Sequence, residues 1–320
     1  MNALVGSEFR ARLRRPLKRA LQSTVPYLLG LAIVLYLVRG TSLATIERAL
    51  SGANTTLFIL ASVGSVVIWY VGETFLFARL YSYFNARISF HEMLAPNAAQ
   101  YFLQIVNMAL AGSALVFFMY KRKAVPFLSG GCTLIFQTLI DLELMAVLWL
   151  AGAVLEPHGA AAAYAGYAAA ALLLGLTVSF FWLRGRPRSE AARWIYDRPA
   201  LHCFREARLS HYARLTAIRG PIFLGQGIML YFQLEAFNIH LPFAAVFGLL
   251  APVLLLDGVP VTPVGIGPLQ AVLVSGFSAY GSQADLLAMG LGISAVNIAL
   301  RIPLGLGAAG TFAREVLAAD

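Results

Sequence analysis

Six ionisable side chains stand well inside apolar runs of the sequence: Glu73, Asp141, Glu143, Glu235, Asp257 and Arg301. A charge at the centre of a lipid-embedded helix costs about 2.5 to 3.5 kcal/mol on insertion scales, so each is a candidate for function by default. The chemistry open to them is proton transfer by a carboxylate, a counter-ion role or, for Arg301, a guanidinium fork on a buried carboxylate or a lipid phosphate. Gln137 and Asp141 are four residues apart and share a helix face, where they either line a polar cavity or hydrogen-bond a neighbouring helix. Glu143 points elsewhere, while Glu73 and Glu235 are isolated, so these three read as structural or interfacial. Asp257 adjoins Gly258-Val259-Pro260 and suits the cap of a half-helix. Soluble-type catalysis finds no support: no HExxH, GxSxG, P-loop or paired-aspartate metal motif occurs, and Gly265-Ile266-Gly267 is a lone GxG in a Pro-rich stretch. The histidines (His91, His158, His202, His211 and His240) stand at no metal-ligand spacing. Cys132 and Cys203 fall in different environments with no evident partner, which predicts no disulfide, no metal site and no cofactor.

These residues must be positioned by elements that live in lipid. The chain is 59% hydrophobic and 12% charged, whereas a soluble domain is about 25% charged, so a soluble reading is excluded. A span needs about 20 apolar residues; the candidates are 21–38, 55–80, 93–119, 127–153, 161–183, 217–237, 240–258, 262–280 and 285–312. Most of the Lys and Arg fall in four clusters. The first, Arg10 to Arg19, precedes the run Val25 to Val38 and reads as a retained start-transfer segment in preference to a cleaved signal peptide. The others are Arg79 with Arg87, Lys121-Arg122-Lys123, and a loop from Arg184 to Arg219. Short basic loops beside span ends follow the positive-inside rule. They predict a multi-pass protein of a bacterial-type inner membrane with a cytoplasmic N-terminus, and no nucleic-acid partner.

If residues 93–119 crossed the bilayer, Lys121-Arg122-Lys123 would be delivered to the outside, against that rule. A hairpin that enters and leaves on one side removes the conflict. Pro96, Asn97, Gln100, Gln104, Asn107, Gly112 and Ser113 interrupt the apolar character there, and non-helical backbone at membrane depth is tolerated where protein or a watery cavity satisfies it. A second break is dictated by Pro252, Gly258, Pro260, Pro263, Gly265, Gly267 and Pro268, because proline removes a backbone donor and clashes with the preceding turn; the helix should restart near Leu269. The expected fold is therefore an all-α polytopic membrane protein: one integral-membrane domain over 1–320, with about seven full spans and two broken or re-entrant segments, 93–119 and 258–280. One interrupted segment in each half is the pattern of an inverted repeat.

The run Leu256-Asp257-Gly258-Val259-Pro260-Val261-Thr262-Pro263-Val264-Gly265-Ile266-Gly267-Pro268-Leu269-Gln270, followed by Tyr280-Gly281, resembles the transmembrane region of the lysylphosphatidylglycerol synthase family. That family shows a proline and then a Thr-Pro-small-Gly-hydrophobic-Gly run closing on a glutamate, where Gln270 stands here. Leu103 to Lys123 is similar to the family's earlier Pro-and-Gly element, with Ser113 and Phe117 at the acidic and Arg positions. Gln137 to Asp141 is similar to its Glu-Arg-x-x-Asp pattern with the aspartate kept. In full-length members a soluble domain aminoacylates phosphatidylglycerol and the membrane domain is a lipid flippase. The resemblance implies the stand-alone, flippase-like type without the aminoacyltransferase domain.

The leading expectation is a lipid translocase or lipid carrier moving a phospholipid or isoprenoid-type lipid between leaflets. Half-helix N-termini attract anions, which would set a phosphate near Gly265 to Gly267 or Gly112. Asn107, Gln137, Asp141, Asp257, Thr262, Pro263, Gln270, Asn297 and Arg301 complete the expected pathway. The alternatives are an intramembrane lipid-modifying enzyme, or a subunit of one, using Asp141, Glu143 or Asp257 as acid or base, and a non-catalytic scaffold. The loop Arg184 to Arg219, with Trp194, Tyr196, Phe204 and Tyr212 interleaved, is expected on the anionic inner leaflet. A second copy of the chain or a cytoplasmic partner is a further option.

Overall fold

The structure is a computed structural model that describes residues 31–39, 42–106, 108–155, 159–185, 196–257 and 266–317. Helix is the only regular structure among them. Residues 31–38 are helical and precede α1 (Leu43–Gly52), α2 (Thr55–Phe84), α3 (Phe90–Val106), α4 (Met108–Lys123), α5 (Phe127–Leu155) and α6 (Gly159–Arg184). A 3-10 turn at Pro199–Leu201 leads into α7 (His202–Glu206), α8 (Leu209–Ala236), α9 (Phe243–Asp257), α10 (Pro268–Phe277) and α11 (Gln283–Leu317). Among the described residues, three helices are apolar and long enough to cross a bilayer by length and composition: α2, α5 and α11 as far as Ala308. Helix α8, at 28 residues, is about 42 Å long at 1.5 Å per residue, but it carries Arg214, Arg219, Gln226 and Gln233, which its packing must absorb.

The two ends of the bundle can be told apart by their contacts. At one end the Asn54 side chain caps α2 by accepting from the Leu57 amide at 3.1 Å, and the Asn54 amide donates to the Ala236 carbonyl at 2.7 Å. Gln283 donates to the Leu37 carbonyl there, 2.9 Å away. An apolar core closes this end, built from Phe58, Leu234, Phe237, Val246, Leu273, Phe277 and Leu287. At the other end, which carries Arg79, Arg87 and Lys121 to Lys123, a second core joins Leu80, Tyr81, Met119, Phe136, Phe204 and Leu215.

The expected hairpin over 93–119 is present. Helix α3 ends at Val106 and α4 begins at Met108, and Lys123 at the end of α4 pairs with Glu92 at the start of α3 at 2.8 Å, so α4 returns to the basic end from which α3 entered. Its ascending arm is fixed by polar bonds: Asn97 donates to the Tyr70 carbonyl and to Thr74 Oγ1 at 3.1 and 2.8 Å, and Tyr70 donates to the Leu94 carbonyl at 2.9 Å. Pro96, in the second turn of α3, falls among these side-chain bonds. Gly305 of α11 admits the same arm, since a Cβ there would lie 2.1 Å from that of Phe102.

The second break is also a hairpin. Helix α10 begins at Pro268, next to the restart expected at Leu269, and ends at Phe277. Gly281, just beyond it, packs on Ile239, just before α9, with room for no more than 3.0 Å between a Cβ and Ile239 Cγ1. Helix α9 thus starts, and α10 finishes, at the end opposite the basic clusters. The stretch 240–258, read from sequence as a crossing of its own, takes the place of this hairpin's first arm. It meets α5 backbone to backbone: a Cβ on Gly152 would fall 2.0 Å from the Gly248 Cα, the small-residue crossing by which membrane helices gain close packing. Two hairpins of opposite orientation therefore share α11 as a common wall.

Candidate functional site

Between the two apolar cores lies a layer of buried polar groups, and its centre is Arg219. From sequence this arginine reads as the last of the basic loop; the structure places it ten residues into α8, with 1% of its surface exposed. Its Nε donates to Asp141 Oδ1 at 2.7 Å and its Nη2 to Oδ2 at 2.9 Å, a bidentate fork. Nη2 also lies 3.6 Å from Glu73 Oε1. The guanidinium rests over Trp69 and Phe223, 4.6 and 4.8 Å from their ring centroids, and these two rings stack nearly parallel. Gln137 approaches the same carboxylate at 3.5 Å, so the i, i+4 pair expected from sequence is real and serves Asp141. Glu73, read as isolated, is 5% exposed and belongs to the cluster. The arrangement brings α2, α5 and α8 together because an arginine cannot shed its charge in a dry interior and must find both a carboxylate and an aromatic face.

Arg301 of α11 faces this layer from the side of the first hairpin. It is 9% exposed, and its guanidinium lies 5.1 Å from the centroid of the Tyr101 ring of α3. Its charge and that of Arg219 both reach Glu73. Counted formally, two cations and two carboxylates balance. Three valences of these side chains remain open among the described residues: Arg219 Nη1, Glu73 Oε2 and Arg301 Nε are buried without a hydrogen-bond partner. Since buried polar atoms are nearly always satisfied, a polar ligand or water is the natural occupant.

Towards the opposite end the polarity becomes neutral. Ser65 donates to Gln226 Oε1 at 2.6 Å while Gln226 returns a bond to the Ser65 carbonyl at 2.9 Å, and Gln233 donates to Ser62 at 3.1 Å. Beside them Asn297 and Ile293 of α11, Val253 of α9, and Leu269 and Leu273 of α10 line a partly open cavity of about 70 Å³, space for several waters.

The remaining expected site residues divide. Gln270 is fully buried and spent on structure: Oε1 accepts from the Gly267 amide at 2.6 Å, and Nε2 donates to the Gly290 carbonyl and Ser294 Oγ at 3.0 and 3.1 Å. Gly267 holds φ at 101°, a region that favours glycine. Its amide, expected to be free for an anion, is thus already occupied by Gln270. Gly112 sits half-buried in α4, in ordinary contact with Leu134. Asp257 closes α9; Asn107, Thr262, Pro263 and Gly265 lie outside the described residues. Glu143 is buried, with its Oε2 unpartnered. Glu235 pairs with His240 at 3.0 Å near the surface, in keeping with an interfacial role.

A further expectation is overturned. Cys132 and Cys203, read as lying in different environments, come together with His202 at the basic end, with a donor atom of each within 4.8 Å of the others. The fold, not any spacing in the sequence, makes them neighbours.

A family model described as the lysylphosphatidylglycerol synthase transmembrane region matches residues 23–305. No curated protein matches the chain.

Proposed function

Because the chain belongs to the lysylphosphatidylglycerol synthase transmembrane-region family, we propose that it is a lipid translocase that carries an anionic lipid between leaflets. The head-group phosphate is read by the buried cluster while the acyl chains stay in the bilayer. The observation that carries this reading is the set of open valences on Arg219 Nη1 and Arg301 Nε in an otherwise balanced charge layer. Guanidinium donors match phosphate oxygens in geometry and charge. A phosphate arriving there gains charge-assisted bonds without breaking the Arg219 to Asp141 fork.

The hairpins supply a route for motion. They enter from opposite ends and rest on α11, so a shift of either against that helix would open the layer to one side at a time, as inverted repeats do in secondary transporters. The neighbouring cavity, about 70 Å³, has room for several waters beside that route.

The enzyme alternative retains one supporting observation, the unpartnered Glu143 Oε2; Asp141 is held as a counter-ion, with both oxygens engaged. Comparing the lipidome and outer-leaflet labelling of a deletion strain with its parent separates the two. A lipid made in normal amount but retained on the inner leaflet supports translocation; a lipid missing altogether moves the assignment to an enzyme.

A further inference from the structure

The cysteines and histidine at the basic end form a second chemical centre, remote from the charged layer. Cys132 stands in the second turn of α5, and His202 and Cys203 open α7, so the contact ties the segment after the 3-10 turn to the membrane bundle. Both sulfurs are buried, with Cys132 1% and Cys203 0% exposed, and both are free thiols. His202 places Nε2 3.1 Å from the Phe84 carbonyl at the end of α2. Cys203 Sγ lies 3.5 Å from Nε2 and 3.7 Å from Nδ1, within reach of either ring nitrogen. The Phe84 carbonyl fixes the place of the ring beside the sulfurs, the kind of backbone partner that metal-binding histidines use.

We propose that Cys132, His202 and Cys203 bind a thiolate-seeking d10 metal ion, zinc(II) by the donor set, which clips the basic segment onto the ends of α2 and α5. In a tetrahedral site with metal–sulfur bonds of about 2.3 Å and metal–nitrogen bonds of about 2.1 Å, ligand atoms stand roughly 3.5 to 3.8 Å apart. The 3.5 and 3.7 Å from Cys203 Sγ to the two ring nitrogens match that edge, and the outer limit of 4.8 Å for the three donors leaves only a small contraction for binding. Thiols bind as thiolates, so uptake of one Zn²⁺ releases two protons to solvent and leaves a fourth position for water. A disulfide is the competing fate of two adjacent sulfurs, but it would leave the oriented imidazole without a role.

The test uses the full chain purified under reducing conditions. Elemental analysis should find about one zinc per chain; Co²⁺ added to the stripped protein should develop a sulfur-to-cobalt charge-transfer band. Cys132→Ser and Cys203→Ser should lose both signals, and His202→Ala should weaken Zn²⁺ binding by about 100-fold or more, beyond what loss of an orienting partner alone would cause. Should the serine variants fail to fold, the wild-type protein decides: a chelator should lower its melting temperature, and Zn²⁺ but not Mg²⁺ should restore it. A chain that holds no zinc, gives no cobalt band and melts unchanged in chelator overturns the site, as does recovery of Cys132 and Cys203 as a disulfide in protein isolated without reductant.

Discussion

The two hairpins do the same topological task with different chemistry. The first is held by directional bonds: Asn97 to α2, Tyr70 back to α3, and the Lys123 to Glu92 pair across its mouth. It presents Tyr101 to Arg301 and so borders the charged layer. The second is held by close apolar packing at Gly152 against Gly248, with Gln270 as a neutral clamp inside it. In lipid, where apolar surfaces gain little from association, close packing and hydrogen bonds are the two available adhesives, and each hairpin relies mainly on one. The polar hairpin is the one that borders the charged layer; the apolar one lies against α5 backbone to backbone.

The comparison can be broken at several points. The largest effect is expected at its shared centre: Arg219→Ala leaves Asp141 and Glu73 buried without their counter-ion and should destabilise the protein by about 3 to 5 kcal/mol, read as a fall in the detergent unfolding midpoint. Arg219→Lys should rescue only part, because an ammonium cannot make the bidentate fork. Gly152→Leu attacks the second hairpin alone; with a backbone 2.0 Å from where its Cβ would sit, it should cost about 3 kcal/mol or prevent docking of α9, while the first hairpin's protection from hydrogen exchange persists. Gln270→Glu places a carboxylate oxygen against the Gly290 carbonyl and should cost about 1 to 3 kcal/mol, measured by thermal unfolding.

The smallest effect belongs to the mouth of the first hairpin. The Lys123 ammonium and the Ser89 bonds hold the Glu92 carboxyl down from its ordinary 4.5 to about 2. A depressed carboxyl stabilises the fold above its unfolded pKa, so this contribution should be full above that ordinary value of 4.5 and fade as pH falls towards 2. Lys123→Met should shrink that fading, as seen in unfolding midpoints taken across the interval. The pair is solvent-exposed enough that its contribution is modest.

The sequence shows the architecture more readily than the site. Charge placement around Lys121 to Lys123 demands a hairpin, and the cluster of Pro and Gly from Pro252 to Pro268 demands a break; both are local features with strong backbone consequences. The centre is hidden because Arg219 follows Arg208 and Arg214 in sequence and looks like the last member of a basic loop. Its position inside the apolar segment 217–237 is the available signal. Glu73, Asp141 and Arg219 are joined only by tertiary packing of three helices, which no spacing along the chain encodes. The same holds for Cys132 with His202 and Cys203. Gln270 illustrates the reverse case: its place in a family motif marks it for the pathway, whereas its neighbours engage it in capping α10.

If the open guanidinium valences of the polar layer receive a lipid phosphate, Arg301 is the side chain to change, because Arg219 also holds three helices together. Liposomes containing the purified protein and labelled lipids of several head groups would be assayed for movement between leaflets, comparing wild type, Arg301→Lys and Arg301→Ala at matched insertion and unchanged melting temperature. Movement above empty liposomes is expected for an anionic lipid, with partial retention in Arg301→Lys and a loss of about tenfold or more in Arg301→Ala, the equivalent of about 1.4 kcal/mol or more in one charge-assisted bond. Wild-type protein that never exceeds empty liposomes with any head group, or an Arg301→Ala variant as fast as wild type, would contradict it.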